Sequence, residues 1–401
     1  MSRLGALSHR NFRFFFFGQG ISLIGTWMQS VALGWLVLDL TNSAFAVGLN
    51  SALRSFGVLA FTLYAGVIVD RVDKRRLIVL TQVLQMVEAL ALAVLVWTHT
   101  IATWQVMVLA VGFGIVNAFD IPARQAFLVE LVGKQDLMNA IALNSSMFNA
   151  ARIVGPAVGG LLIGAAGIGA CFLINGVSYI AVIAGLLAIR LPPPVRPVGR
   201  VSGWEWFQAG ARFLWEERRL RVLMILVGVL SVLGFPVLVL MPVIARDVLH
   251  TDARGYGLLM AAVGVGAMLG ALALALTGRD TRKGPAMLVG GAAYSALLIA
   301  FAATRQFWLA LLLLALAGWA MIITTALANT LIQTIVPDDM RGRVMAFYAF
   351  VFVGMAPLGA FQAGLLGEHL GAPIAIGLGG AGCLVTVLIA WWKGAELRET
   401  V

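Results

Sequence analysis

The sequence predicts an all-α membrane protein: twelve transmembrane helices arranged as two pseudo-symmetric six-helix bundles. Three observations carry this. Of 401 residues, 61% are hydrophobic and only 11% are charged, whereas an ordinary soluble domain carries about 25% charged residues. Mean hydropathy is +0.96. The apolar residues also fall in continuous runs that meet the ~20 residues a spanning helix requires, rather than the ~10-residue alternating segments of a membrane barrel. The same figures exclude a soluble globule and a disordered chain. The 45 glycines follow no fixed period, which excludes a collagen-like chain.

In chain order the expected spans are residues 13–38, 45–69, 77–97, 104–128, 139–164 and 170–189, then 222–244, 255–277, 285–304, 308–334, 344–367 and 372–392. The start has a superficial likeness to a secretion signal, with Arg3, Arg10 and Arg13 before an apolar run and Ala44-Phe45-Ala46 after it. That run is too long for a signal core and includes Trp27, Gln29 and Trp35, so it reads as a retained first span. The connections are short except for residues 190–221. These hold Pro192-Pro193-Pro194 and then Trp204, Phe207, Ala211 and Leu214 at helical spacing, with Glu205, Gln208, Arg212 and Glu216 between them. That pattern predicts an amphipathic surface helix. The domains are therefore 1–189, a linker over 190–221, and 222–401. Pro156 and Pro357, each in a glycine-rich setting, stand half a chain apart. Repeated six-span halves with a site between them are an architecture of membrane transporters.

The net charge of +10 would suggest nucleic acid in a soluble chain; here its distribution sets topology. Of the 28 basic residues, only Arg246, Arg254 and Arg305 fall on one face, and Arg54 and Arg152 lie inside spans. The rest collect on the other face, which predicts that both termini are cytoplasmic. Cys171 and Cys383 sit in apolar stretches, and His9, His99, His250 and His369 are far apart. No disulfide framework, metal site or cofactor is expected.

The connection after the second span reads Gly66-Val-Ile-Val-Asp70-Arg71-Val-Asp73-Lys74-Arg75-Arg76. A positive-inside cluster explains Lys74, Arg75 and Arg76 but not Asp70, since a carboxylate at a helix C-terminus meets the negative end of the dipole. The segment resembles the signature loop of the major facilitator superfamily, in a matching place. The resemblance implies that Asp70 contacts the start of span eleven, near Arg343 and Val344, and helps to latch the cytoplasmic side. The matching loop of the second half, Gly270 to Gly284, lacks the pattern. Further segments narrow the likeness: Gly25-Thr26-Trp27-Met28-Gln29, Phe119-Asp120-Ile121-Pro122-Ala123-Arg124, Asn139-Ala140-Ile141-Ala142 and Arg152-Ile153-Val154-Gly155-Pro156-Ala157. They resemble a bacterial branch that includes enterobactin exporters and macrolide efflux proteins, over nearly the whole chain. The likeness implies efflux at a bacterial inner membrane. Gly155, Pro156, Gly159 and Gly160 are similar to the fifth-span motif of superfamily antiporters, in which proline kinks the helix and small residues allow close approach; tight helix packing without directional meaning is the alternative.

Charges inside spans are costly unless paired or hydrated. Arg54, Glu88 and Arg152 lie near mid-helix; Asp39 and Asp120 lie nearer span ends, and Asp120 and Arg124, four apart, share a helix face. Glu88 is the one acid placed deep in a span. An apolar setting favours its neutral form and a nearby arginine its charged form, so it is either a proton carrier or one half of a fixed pair with Arg54 or Arg152. The stretch Leu109 to Gly114 lacks the fourth-span arginine usual in the superfamily, and Arg54 or Arg152 is the available substitute. No acid or base falls deep in a span of the second half, whose polar residues are Thr324, Thr325, Asn329, Gln333 and Gln362. The first half is therefore expected to handle protons. Trp35, Phe235, Trp319, Asn329, Tyr348, Phe352 and Gln362 are the expected cavity-lining residues.

The expectation is a monomeric, proton-coupled exporter of hydrophobic or amphipathic small molecules such as drugs, siderophores or metabolites, working by alternating access. Its partners are that substrate, protons and the bilayer, not nucleic acid. An uptake permease of the same fold and a transport-inactive sensor remain as alternatives. The chain has no Gly-x-Ser-x-Gly, no His-Glu-x-x-His and no paired membrane aspartates, so an intramembrane enzyme is not expected.

Overall fold

Apolar runs in a bilayer must satisfy every backbone group internally, and helices do so within one segment. The structure, a computed structural model, describes residues 5–190, 203–277 and 282–393, without the side chains of Leu63, Asp70, residues 203–209 and Thr277. Its helices are α1 (Gly5–Ser8), α2 (Arg10–Thr41), α3 (Ala44–Arg71), α4 (Lys74–Trp97), α5 (Thr103–Ala166), α6 (Ile168–Ala188), α7 (Gly203–Glu216), α8 (Arg218–Val229), α9 (Val237–Val243), α10 (Ala253–Thr277), α11 (Lys283–Ala303), α12 (Phe307–Ile335), α13 (Asp338–Ala349), α14 (Ala356–Leu370) and α15 (Ala372–Lys393). There is no strand among the described residues.

Eleven helical stretches among the described residues are long and apolar enough to cross a membrane. One of them, α5, has 64 residues, or about 96 Å at 1.5 Å per residue, some three times a hydrocarbon core of about 30 Å. It therefore supplies two spans. The break is Gly133, with φ 68° and ψ 178°. A side chain is disfavoured at such positive φ, and no neighbour lies within 4 Å of the site, so the requirement is conformational rather than spatial. The sequence suggested a connection of about ten residues there; the helices run on and a single glycine makes the turn.

Spans seven and eleven are interrupted rather than straight. Five-residue π-helical turns occupy Leu230–Gly234, Ile244–Val248 and Phe350–Gly354. Each lies within three residues of Pro236, Pro242 or Pro357. Proline removes an N–H donor and crowds the preceding turn, and a widened turn accommodates that loss. The Phe235 N–H accordingly reaches back five residues to the Leu230 carbonyl at 2.9 Å.

The linker pattern, read from the sequence as one helix from Trp204 to Leu220, breaks before its end. The helix α7 stops at Glu216, and the Glu217 side chain accepts from the Arg219 N–H to cap α8. Span seven thus begins at Arg218 rather than at residue 222. Residues 191–202, with the proline run, lie outside the described residues, as do Arg279 and Asp280.

The chain divides into two compact units. The first comprises residues 1–42, 53–198 and 251–261; the second comprises 43–52, 199–250 and 262–401. The first is built on Phe12, Phe15, Ile78, Phe127, Tyr179 and Leu186, all fully buried. The second is built on Leu220, Leu223, Met287, Leu331, Ile332 and Val344.

Candidate functional site

In the first unit the deep acid is held in a chain of neutral amides. Gln29 of α2 donates through Nε2 to Glu88 Oε2 of α4 at 2.9 Å, and Asn175 of α6 donates through Nδ2 to Gln29 Oε1 at 2.6 Å. The Ser178 hydroxyl donates to the Asn175 carbonyl and side-chain oxygens at 2.7 and 3.2 Å. All four residues are buried, Asn175 completely. The helices approach this closely because residue 25 is glycine: a Cβ there would strike Asn175 Oδ1 and Ser178 Oγ.

Neither arginine forms an ion pair with Glu88 among the described residues. Arg54 of α3 instead lays its guanidinium carbon 3.9 Å from the centroid of the Phe113 ring, and its Nη1 donates to Ser30 Oγ at 3.5 Å. Phe113 lies in the Leu109–Gly114 stretch, so Arg54 brings a cation to the segment that has none of its own. Arg152 is different again. Its Nε and Nη2 are buried and have no hydrogen-bond partner among the described residues. Burying guanidinium nitrogens without a partner is expensive.

A second polar cluster surrounds Asp120, which is completely buried. It accepts from Thr81 Oγ1 at 2.7 Å and from Gln82 Nε2 at 2.9 Å, and it pairs with Arg124 one turn on. Beside it lies a cavity of about 180 Å³, lined by Gln19, Arg124, Gln125, Asn144, Phe148 and their neighbours. Buried Gln19 Oε1 is without a hydrogen-bond partner among the described residues. Asn144, Phe148 and Arg152 recur every four residues, so they share one face of α5. Asp39 stands apart from both clusters, exposed near the end of α2.

In the second unit the aromatic residues gather at the π turns. Phe235 and Phe352 meet edge to face at 5.4 Å, and Tyr348 stacks on Phe352 at 5.7 Å. Ser231 Oγ donates to the Phe352 carbonyl at 2.9 Å, so one π turn satisfies an acceptor in another. Gln362 Oε1 is buried and unpartnered among the described residues. Asn329 accepts from Gln333 at 2.5 Å along α12. Thr324 and Thr325 donate to carbonyls of their own helix. Trp319 is partly exposed on α12. Trp35 belongs elsewhere: it stacks on Tyr256 in the first unit at 6.0 Å.

The signature-loop residues mostly bind their own unit. Asp73 caps α4 by accepting from the Arg76 N–H at 3.0 Å. Lys74 pairs with Glu130 at 2.8 Å. Arg75 donates to the Leu186 and Leu187 carbonyls at 2.6 and 2.8 Å, an apt place for a cation at a helix C-terminus. Arg71 is exposed, and nothing lies within 4 Å of a Cβ at Gly66. The Asp70 side chain is outside the described residues. In the fifth-span motif a Cβ at Gly155 would lie 2.5 Å from Trp27 Cβ, and one at Gly159 would lie 3.1 Å from the Met28 carbonyl. One at Gly160 would lie 2.5 Å from the Ala253 carbonyl, and the Pro156 carbonyl stands 2.5 Å from a Cβ at Gly257. The motif is a packing surface here.

Sequence reasoning placed Glu88 and the Asp120–Arg124 pair but assigned no role to Asn175, Ser178, Ser231, Thr81 or Gln82. An uncharged polar residue in an apolar helix gives little warning, and the partners that distinguish these come from distant helices.

Interrupted spans and buried polar groups in a polytopic helical chain fit a secondary transporter, and the family match makes it one of the major facilitator type. Within that class, the model of the transmembrane secretion effector family matches residues 1–399, and the chain belongs to that family. It is 26% identical over 393 residues to the enterobactin exporter EntS of Citrobacter koseri, spanning 98% of this chain and 94% of the relative. Among solved structures it resembles a bacterial homologue of the lysosomal transporter Spinster, in an inward-facing and unoccupied conformation. There the TM-score is 0.72 at 15% identity, covering 99% and 97% of the two chains. It also resembles a D-xylose–proton symporter, with TM-score 0.72 at 13% identity over the full length of both. These likenesses support the fold alone.

Proposed function

We propose that this transporter exports an amphipathic small molecule in exchange for protons, by alternating access, across a bacterial inner membrane with both termini in the cytoplasm. The observation that carries the reading is Glu88: a buried carboxyl that accepts from Gln29 and has no ion pair among the described residues. A carboxylate locked to an arginine would hold its charge, whereas one set among neutral amides is free to take up and release a proton. Arg152 is the complementary element, a buried cation whose open donors suit an anionic or hydrogen-bonding group on the cargo. The cavity beside Arg124 and Gln19 is smaller than the ~300 Å³ at which drug-sized sites begin, so it would seat part of a cargo. The aromatic group around Phe235 and Phe352 suits an apolar part. Export follows the family, whose relatives include enterobactin exporters. Enterobactin and other siderophores, with hydrophobic drugs, are the cargoes to try first.

The test is flux in inverted vesicles under an imposed pH gradient, inside acidic. Cargo should accumulate in the vesicles as protons leave, and Glu88→Gln should uncouple the two. Cargo movement out of the vesicles with protons would favour an uptake permease. Normal coupling in Glu88→Gln would remove Glu88 from the mechanism.

A further inference from the structure

The linker helix and spans seven, eleven and twelve leave an open groove of about 520 Å³ in the second unit. Its lining is polarised along the helices. At one end stand Arg218 and Arg221, opening α8, and Lys393, closing α15. Further along the same helices the lining is apolar and includes Ile225 and Ile389, each more than half exposed. At 1.5 Å per residue, Ile225 lies about 10 Å beyond Arg218, and Ile389 about 6 Å from Lys393. Trp215 of α7 flanks the mouth, 74% exposed, with the Arg221 guanidinium 5.5 Å from its ring centroid.

The cations are not used up among the described residues. Among the described residues none of the three is paired with a carboxylate, since Glu216 pairs with Arg212 and Glu217 with Arg219. Arg218 donates once, from Nη2 to the Lys393 carbonyl at 2.9 Å, which ties the two ends of the mouth together. Three cations over a laterally open apolar trough, beside an interfacial tryptophan, match a phospholipid that has an anionic headgroup and acyl chains running inward.

We propose that this groove is a binding site for an anionic phospholipid, with Arg218, Arg221 and Lys393 holding the phosphate and Ile225 and Ile389 contacting an acyl chain. The orientation proposed above decides only which leaflet supplies the lipid, since the site needs neither transport nor a membrane to be measured. The full chain in mild detergent is titrated with phosphatidylglycerol, with phosphatidylcholine of the same chains, and with inorganic phosphate. Binding is read by native mass spectrometry and by thermal denaturation. Phosphatidylglycerol should bind and raise the melting temperature, while the other two should do neither at equal concentration. The variant Arg218→Gln/Arg221→Gln/Lys393→Gln should lose about tenfold or more in phosphatidylglycerol affinity. Ile389→Trp, at an exposed position, should lose it too by filling the trough with the cations intact. Equal binding of phosphatidylcholine would overturn the proposal, as would an unchanged affinity in either variant. A matching response to inorganic phosphate would leave an anion site and no lipid site.

Discussion

Glu88 and Asn175 illustrate what single residues decide here. Glu88→Gln keeps the size of the side chain and its capacity to bond Gln29, so the variant should fold and still bind cargo while proton movement is lost. Binding measured alongside flux separates this from misfolding: loss of both would assign Glu88 a structural role. Asn175→Ala removes the 2.6 Å donor to Gln29 Oε1 and leaves a buried acceptor open, at a cost of about 1–3 kcal/mol. Its melting temperature should fall, and an unchanged value would mean that Gln29 finds another donor. Arg152→Gln removes the unpartnered cation and should weaken binding of an anionic cargo while sparing a neutral one. Glu88 was legible in the sequence because a lone acid in an apolar run has few bland explanations. Its surroundings were not. Gln29 is 59 residues away in the chain and Asn175 a further 146 from Gln29, and nothing local says that these three meet.

At the scale of elements, glycines divide into those that packing demands and those it does not. Gly155 faces Trp27 and the Ile24 carbonyl, so Gly155→Leu should destabilise the first unit by about 1–3 kcal/mol or more. Gly66 is open on every side, and Gly66→Ala, which favours helix, should leave stability unchanged. Thermal denaturation of the two variants checks the contrast. If Gly66→Ala is stable but transports poorly, the glycine is required in another conformation of the cycle. The breaks in spans seven and eleven were half legible. Pro236, Pro242 and Pro357 announced a disturbance, but a kink and a π turn have the same sequence signal. The choice rests on whether a partner such as Ser231 is present to satisfy the freed carbonyls. At Gly133 the expected ten-residue connection is helix instead, because half of residues 129–138 are apolar and Leu131 and Val132 pack into the core.

For the whole molecule, orientation is the open quantity with the simplest test. Both native cysteines are buried, so single introduced thiols can be labelled against a quiet background. α4 runs 24 residues from Lys74 to Trp97, about 36 Å at 1.5 Å per residue, enough to place its ends on opposite sides of the bilayer. Arg76→Cys, at a side chain 90% exposed, should react with a membrane-impermeant maleimide only from the cytoplasm. Thr100→Cys, exposed beyond the other end, should react in intact cells. The reverse pattern would invert the topology read from the basic residues.

By itself the sequence determined the class of molecule, the number of spans, the segregation of basic residues and the few charges that break the apolar rule. These are one-dimensional properties: burial in lipid taxes each residue independently of its partners, so composition and spacing record it. Tertiary structure alone decided which of those charges are paired. It set Asp120 against Arg124, Thr81 and Gln82, gave Glu88 an amide rather than an arginine, moved Arg54 onto Phe113 and left Arg152 Nε and Nη2 without a partner among the described residues. The reason is physical. The free energy of a buried charge depends on the few atoms within hydrogen-bond reach, and in a helical membrane protein those atoms come from helices far apart in the chain.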